Sequence, residues 1–99
     1  MPEALSSRST VLLAKDQVSS DLAGEVVIFN LNSGVYYGLD SVGARIWDLI
    51  REPRTVGDIR DALLEEYEVE TDRCEQEVLA LIGRLAAEGL VEIRNEATA

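Results

Sequence analysis

The sequence predicts an α+β domain in which a three-stranded antiparallel β-meander precedes three helices, a winged-helix-like arrangement. Two observations predict this class. Runs rich in β-branched and aromatic residues, separated by turn residues, lie between positions 10 and 40, and apolar residues at helical spacing fill most of the rest. With 99 residues and no internal linker, the chain is expected to build one core. We expect a domain over residues 10–94, with flexible tails at residues 1–9 and 95–99.

The predicted meander has a weaker first strand and a strong hairpin. Residues 10–18 read as the first strand, and residues 19–24 read as a loop. The second strand, residues 25–31, contains the run Val-Val-Ile-Phe, which favours a strand. Residues 32–34 (Asn-Ser-Gly) supply a short hairpin loop, and residues 35–39 return as the third strand.

Pairing across that loop decides which side chains share a face of the sheet. If position 31 lies opposite position 35, one face is apolar and is expected to pack on the helices. That face would carry Val27, Phe29, Leu31, Val35, Tyr37 and Leu39. The opposite face would carry Val26, Ile28, Asn30, Tyr36 and Gly38. Because this second face is apolar for a solvated surface, we assign it to contact with another protein or a second copy of the chain.

Three helices follow, and each has a recognisable beginning. The third is the longest, and its apolar arc is wider than one stripe, so it is expected to contact more than the core. We expect Trp47, in the first helix, to be a core residue. The first helix is expected to begin at Asp40 or Ser41 and to end before Pro53. The second is expected to begin at Thr55, and the third to begin at Thr71 or Asp72 and to end at Gly89.

The composition argues against most catalytic and nucleic-acid-binding functions. The chain has no His, which is the usual general base and metal ligand, and one Cys, which excludes an internal disulfide. Its net charge of −10 disfavours phosphate backbones and anionic membranes. No apolar run approaches the roughly 18 residues of a membrane span. We expect a cytoplasmic protein with no cofactor, no metal ion, no catalytic residue, and neither nucleic acid nor membrane as a partner.

Three alternative functions are less consistent with the sequence. Cys74 could act as a nucleophile, but no His can activate it, so it is interpreted as a small core residue. Asp58, Asp61 and Glu65 lie at helical spacing but lack the ligand pattern of a calcium loop. A winged-helix DNA-binding regulator would use residues 71–88 as its recognition helix, but that helix carries four acids and two bases.

An open strand edge is the feature that favours a binding function. In a meander the first and third strands each keep one unpaired edge. The first carries Lys15 and Asp16, which discourage edge pairing, whereas residues 35–39 contain neither a charge nor Pro. An extended peptide can add a strand to such an edge, and the apolar third helix could form the other wall of the groove.

The residues at this edge resemble the PqqD family. The resemblance rests on the run from Asn32 to Asp40 with Ile46-Trp47 after it, on the segment from Thr55 to Tyr67, and on Leu85 to Val91. Members of this family are recognition elements for ribosomally synthesised, modified peptides, and they bind the leader segment of a precursor. The run Gly-Val-Tyr-Tyr-Gly-Leu-Asp is most similar to the free-standing members of lasso-peptide clusters.

This resemblance implies a non-catalytic role and a binding site. The leader would add to the third strand, against the third helix, and be presented to a leader peptidase, which is a cysteine protease, and afterwards to a cyclase. The alternative within the family is a PqqD-type peptide chaperone for a radical-SAM enzyme. The implied peptide-binding residues are Val35, Tyr36, Tyr37, Gly38, Leu39, Arg73, Cys74, Glu77, Val78, Leu81, Arg84 and Leu85, with the three charged side chains at the rim.

Overall fold

A computed structural model describes residues 5–94, which form six strands and three helices. The α+β class is confirmed. The strands form two antiparallel sheets, with orders β5-β1-β6 and β2-β3-β4. The predicted tails at residues 1–4 and 95–99 lie outside the described residues. The elements are β1 (Thr10–Leu13), β2 (Gln17–Leu22), β3 (Glu25–Asn30), β4 (Tyr36–Leu39), α1 (Ser41–Leu49), β5 (Arg54–Thr55), α2 (Val56–Glu66), α3 (Thr71–Ala87) and β6 (Val91–Arg94).

The predicted first strand, residues 10–18, is wrong in one respect, because it is two strands that belong to different sheets. β1 pairs with β5 and β6, whereas β2 pairs with β3. The change of partner falls in the short connection between β1 and β2. There, Ala14 N–H donates to the carbonyl of Leu90 and Leu31 N–H donates to the carbonyl of Asp16, each at an N···O distance of 3.0 Å. The meander is therefore present, but β2 is its first strand.

The predicted loop at residues 19–24 shrinks to a two-residue hairpin turn. Leu22 pairs with Glu25, so Ala23 and Gly24 alone connect β2 to β3. Both have positive φ, 53° and 85°, which is the requirement of a type I′ turn. The sequence signal was weak because Ala rarely adopts this conformation.

The predicted hairpin register is off by one residue. Phe29 lies opposite Tyr36 rather than Tyr37, because a bulge sets two residues of the loop against Asn30. The carbonyl of Val35 accepts from Asn30 N–H (3.0 Å), while Gly34 N–H donates to the Asn30 carbonyl (2.8 Å). Gly34 has a φ of +74°, which a side chain would strain.

This shift reverses the faces predicted for the middle strand. Val26, Ile28 and Asn30 are buried, whereas Phe29 lies on the outer face, where its ring centroid is 4.6 Å from that of Tyr36. In β4 the prediction was correct, because Tyr37 packs against the core and Tyr36 is exposed. The outer face is still apolar, but it is built from Val18, Leu22, Val27, Phe29 and Tyr36.

The helix boundaries follow the predicted caps. The Asp40 carboxylate accepts from Gly43 N–H (2.9 Å), and the Thr55 hydroxyl accepts from Asp58 N–H (3.0 Å). Such caps typically contribute about 1 kcal/mol each. Helix α3 begins at Thr71 and is followed by Gly89, whose φ is +75°. Trp47 is fully buried, as predicted.

Residues 5–9, which were expected to belong to a flexible tail, lie against the domain. Gly57 N–H donates to the carbonyl of Ser7, and Val56 N–H donates to the carbonyl of Ser9, each at an N···O distance of 2.9 Å. Ser9 itself is buried. The segment therefore satisfies two of the backbone donors that the first turn of α2 leaves unpaired.

Candidate functional site

A groove runs between strand β4 and helix α3. Within the described residues β4 is an edge strand, since it pairs with β3 alone. Two hollows of about 160 and 360 Å³ lie between β4 and α3, and a third of about 170 Å³ adjoins them among α1, α2 and α3; together the three make up the groove. We call it the β4–α3 groove, and its lining residues are Tyr37, Gly38, Leu39, Asp40, Val42, Gly43, Ile46, Leu63, Tyr67, Val69, Cys74, Glu77, Val78, Leu81, Arg84, Leu85, Ala87 and Glu88.

Two residues of β4 direct their backbone polar groups toward the open edge. In an antiparallel pair, residues alternate between bonding the partner strand and pointing away from it. Because Asn30 bonds the carbonyl of Val35, the β4 residues that bond β3 are Tyr37 and Leu39. Tyr36 and Gly38 therefore offer their N–H and C=O groups to an incoming strand.

The hollow beside β4 has apolar walls. Tyr37 and Leu39 contribute the sheet side, and Leu81 and Leu85 contribute the helix side. Leu85 is only 3% exposed and forms the floor, whereas Leu81 is half-buried and stands at the wall. Apolar side chains of a bound strand would gain about 25 cal/mol for each Å² that this surface removes from water.

Charged groups stand along the helix side of the same groove. Arg84 lines both the 160 Å³ and the 360 Å³ hollow, with Glu88 in the first and Glu77 in the second. Burial of the Tyr37 hydroxyl, together with its hydrogen bond with the Glu88 carboxylate, raises the pKa of Tyr37. Tyr37 is therefore protonated near neutral pH and can donate its hydrogen bond to Glu88.

Most of the predicted binding residues meet in this groove. Nine of the twelve line it: Tyr37, Gly38, Leu39, Cys74, Glu77, Val78, Leu81, Arg84 and Leu85. The other three do not. Val35 is exposed in the hairpin loop, and the Tyr36 side chain is exposed on the outer face, so that only its backbone groups point toward the open edge. Arg73 is 75% exposed and lies 3.7 Å from the Glu77 carboxylate.

Cys74 and Val78 line the 170 Å³ hollow, although both are buried in the core. Cys74 is 3% exposed, and its thiol lies 3.8 Å from the carbonyl of Arg60. Burial raises the pKa of the Cys74 thiol, which disfavours the nucleophilic thiolate form. Val78 is fully buried. A charged side chain there would bury an uncompensated charge and destabilise the domain, so a loss of binding on such a substitution would not isolate the role of Val78.

Sequence reasoning missed the contribution of helix α1. Val42 and Ile46 line the two hollows farther from the hairpin loop, together with Glu77 of α3. A signal was available, since these residues lie four positions apart in the helix that follows the open strand. Glu88 was missed as well, although it lies four residues after Arg84 and so on the same side of α3.

The described residues contain neither a candidate metal centre nor a candidate membrane-spanning helix. Among residues 5–94, no group of three or more His, Cys, Asp or Glu side chains is arranged to hold a metal ion. Asp61, one of the acids considered above, forms an ion pair with Arg60, in which Oδ1 lies 3.0 Å from Nε. In the same part of the chain no helix has the length and apolar character needed to cross a bilayer. What the groove provides is an open backbone edge, apolar walls and a charged rim.

Comparisons with known proteins identify the family and the fold. Residues 25–91 match the family Coenzyme PQQ synthesis protein D (PqqD). A solved structure of TbiB1 in complex with the TbiA(beta) leader peptide is 36% identical, with a TM-score of 0.78 over 82% of this chain and 94% of that chain. None of the curated proteins matches the sequence.

A second solved structure supports the fold alone. It is a lasso peptide synthetase B1 complexed with the leader peptide, 24% identical, with a TM-score of 0.75 over 83% of this chain and 96% of that chain. The family match spans more than half of the sequence and includes the open strand and the helix that faces it. The chain therefore belongs to the PqqD family.

Proposed function

We propose that this protein binds the leader segment of a ribosomally synthesised precursor peptide, of the lasso-peptide type. The observation that carries the proposal is the open edge of β4 beside the apolar β4–α3 groove. TbiB1, which is similar over most of the chain, has been solved with a leader peptide. The leader would bind as a fourth strand of the β2-β3-β4 sheet.

Strand addition would supply two kinds of favourable interaction, backbone hydrogen bonds and apolar contacts. The N–H and C=O groups of Tyr36 and Gly38 can form up to four backbone hydrogen bonds, each worth about 0.5–1.5 kcal/mol net. Apolar side chains that enter the groove between Leu39 and Leu81 add to this. We expect a dissociation constant between about 1 μM and 1 nM, which corresponds to roughly −8 to −12 kcal/mol.

The bound leader would be presented to other proteins for chemistry. Because the groove holds only the leader, the rest of the precursor would extend into solvent, where a leader peptidase and then a cyclase could act on it. The protein itself needs no catalytic group for this role, which belongs in the cytoplasm where precursor peptides are made. We assign the peptidase contact to the outer face of the sheet, around Phe29 and Tyr36. Replacing Tyr36 with Glu should then slow processing without weakening leader binding.

The alternative functions are not favoured. A net charge of −10 works against binding to the phosphate backbone of DNA. The relative at 36% identity is a complex with a leader peptide. A role as chaperone for a radical-SAM enzyme would use the same groove, but no feature of this chain favours it.

Leader binding can be tested by direct titration. The genes beside this one should include a short precursor, and its synthetic leader, carrying a fluorophore, would be titrated with the protein in an anisotropy experiment. We expect saturable binding at or below about 1 μM, with a fragment from the remainder of the precursor as a non-binding control. If no short precursor is encoded nearby, or if its leader does not bind below about 100 μM, the proposal is wrong.

A further inference from the structure

The groove side of helix α3 carries a row of alternating charges. Arg73, Glu77, Arg84 and Glu88 are spaced at i, i+4, i+11 and i+15. At 100° per residue these positions fall within about 60° of one another around the helix axis. We call them the charged row. The last three line the groove, so a peptide bound along β4 would pass them in turn.

Every acid that lines the groove within the row has a partner in the protein. Glu77 lies 3.7 Å from the Arg73 guanidinium, and Glu88 interacts with the Tyr37 hydroxyl. Arg84 differs, because among residues 5–94 it forms neither an ion pair nor a side-chain hydrogen bond. It is exposed on the helix, and its guanidinium carries five N–H donors in a planar fork.

The position of Arg84 makes it accessible to a bound strand. Arg84 is shared by the two hollows that adjoin β4, together with Gly38, Leu39 and Leu81. Gly38 is one of the two residues whose backbone groups point to the open edge. A peptide paired with Gly38 would therefore direct the side chains on one of its faces toward the Arg84 guanidinium.

We infer that Arg84 determines sequence specificity by binding a carboxylate of the peptide, an Asp or Glu side chain at one fixed position. The inference rests on the proposed function, since it requires a strand along β4. A bound peptide would exclude water from the groove, so the contact should be stronger than an ordinary surface ion pair and should use two parallel N–H···O bonds. We expect the carboxylate to improve affinity roughly five- to thirtyfold over the corresponding amide.

The neighbouring acids make the preference positional rather than general. Along α3, Glu88 lies about 6 Å from Arg84 and Glu77 lies about 10 Å away on the other side. An extended peptide advances about 3.3 Å per residue and directs every second side chain to the same face, so the side chains nearest these acids would lie about two residues away on one side and about two to four on the other. Acidic side chains at those flanking positions would be repelled, and the net charge of −10 would disfavour a generally acidic peptide.

A selection with random peptides tests this inference without knowledge of the natural leader. A displayed library of 16-residue peptides would be selected on the wild-type protein, on R84E, and on R94E. Arg94 lies in β6 of the other sheet and lines none of the three hollows, so R94E makes the same change of charge elsewhere. Circular dichroism would establish that each variant is folded.

The expected result is a charge preference that reverses at one position. Wild type and R94E should both select Asp or Glu at a fixed distance from the apolar residues of the peptides, whereas R84E should select Lys or Arg there. Exchanging that acid for its amide should weaken binding to wild type roughly five- to thirtyfold and leave binding to R84Q almost unchanged.

Two results would overturn the inference, and they can be told apart. If wild-type and R84E selections show the same preference, or none at any position, while the selected peptides lose affinity for G38P, strand addition holds and the role of Arg84 is wrong. If no peptide is selected, or if G38P binds the selected peptides as well as wild type does, both the inference and the proposed function fail.

Discussion

Asn30 of β3 donates a hydrogen bond from Nδ2 to the backbone carbonyl of Glu88, at an N···O distance of 2.8 Å. Its Oδ1 atom accepts from the N–H groups of Asn32 and Ser33, at 2.8 and 3.2 Å. Asn30 is only 7% exposed. One buried amide thus connects the hairpin loop before β4 with the C-terminal end of α3, which are the two sides of the groove at that end.

Replacing Asn30 with Ala should destabilise the protein. The substitution leaves the Glu88 carbonyl and two loop N–H groups without their partner, and such losses cost about 1–3 kcal/mol in total when the groups stay buried. Urea denaturation would measure the change in the free energy of unfolding. Asn32→Ala, which removes a weaker exposed contact with Asp16, is the control and should change stability by less than about 0.5 kcal/mol. Equal losses for the two variants would contradict the connecting role of Asn30.

Leu81 and Leu79 offer a matched pair for separating binding from stability. Both are half-buried residues of α3 that pack against the core, but only Leu81 lines the groove. Each Leu→Ala change should cost about 1–2 kcal/mol of stability, less than for a fully buried Leu. Peptide affinity should fall roughly five- to thirtyfold for Leu81→Ala and stay within about twofold for Leu79→Ala. Titration calorimetry would measure both, and an equal effect on affinity would argue against the helix wall.

The ion pair between Arg45 and Glu66 predicts a pH dependence of stability. Arg45 Nη2 lies 2.7 Å from the Glu66 carboxylate, and this hydrogen bond lowers the pKa of Glu66 below its ordinary value of 4.5. Because the folded-state pKa is depressed, the contribution is present above pH 4.5 and is lost as the pH falls through the folded-state pKa.

The Glu66→Gln variant measures that contribution. Thermal unfolding of wild type and variant would be compared between pH 7 and about pH 3. Wild type should be the more stable protein at neutral pH by a small margin, since the pair is exposed, and the difference should vanish in acid. A difference that stays constant, or that grows as the pH falls, would contradict the assignment.

Sequence patterns predicted local features well and long-range pairing poorly. The caps at Asp40 and Thr55, the buried Trp47 and the end of α3 at Gly89 depend on neighbouring residues, and all were predicted. The assignment of β1 to a second sheet depends on pairing with β6, about eighty residues away, which no local pattern reveals. Periodicity alone also cannot detect the one-residue bulge opposite Asn30. In a sheet, a shift of one residue in the register moves every side chain of a strand to the opposite face.

The candidate groove, as distinct from its role in binding, could be predicted in outline. An uncharged edge strand next to an apolar helix is visible in the sequence, and it led to Tyr37, Leu39, Leu81 and Leu85. Sequence reasoning also assigned Cys74 and Val78 to the groove, but packing decides which side chains are exposed to water, and both of these are buried in the core. The rim was harder to predict, because the pairing of charges across the groove depends on side-chain positions that no sequence pattern fixes.

The most direct test of strand addition is a comparison of Gly38→Pro with Gly38→Ala. The N–H of Gly38 points to the open edge, so Pro removes a donor for the leader without breaking a bond between β3 and β4, and edge strands tolerate Pro at such positions. Ala keeps the donor, and no atom lies within 4 Å of the methyl group it would add. With both variants folded by circular dichroism, leader affinity should stay within about twofold for Gly38→Ala and fall at least roughly tenfold for Gly38→Pro. Equal leader affinity for the two variants would contradict strand addition at β4.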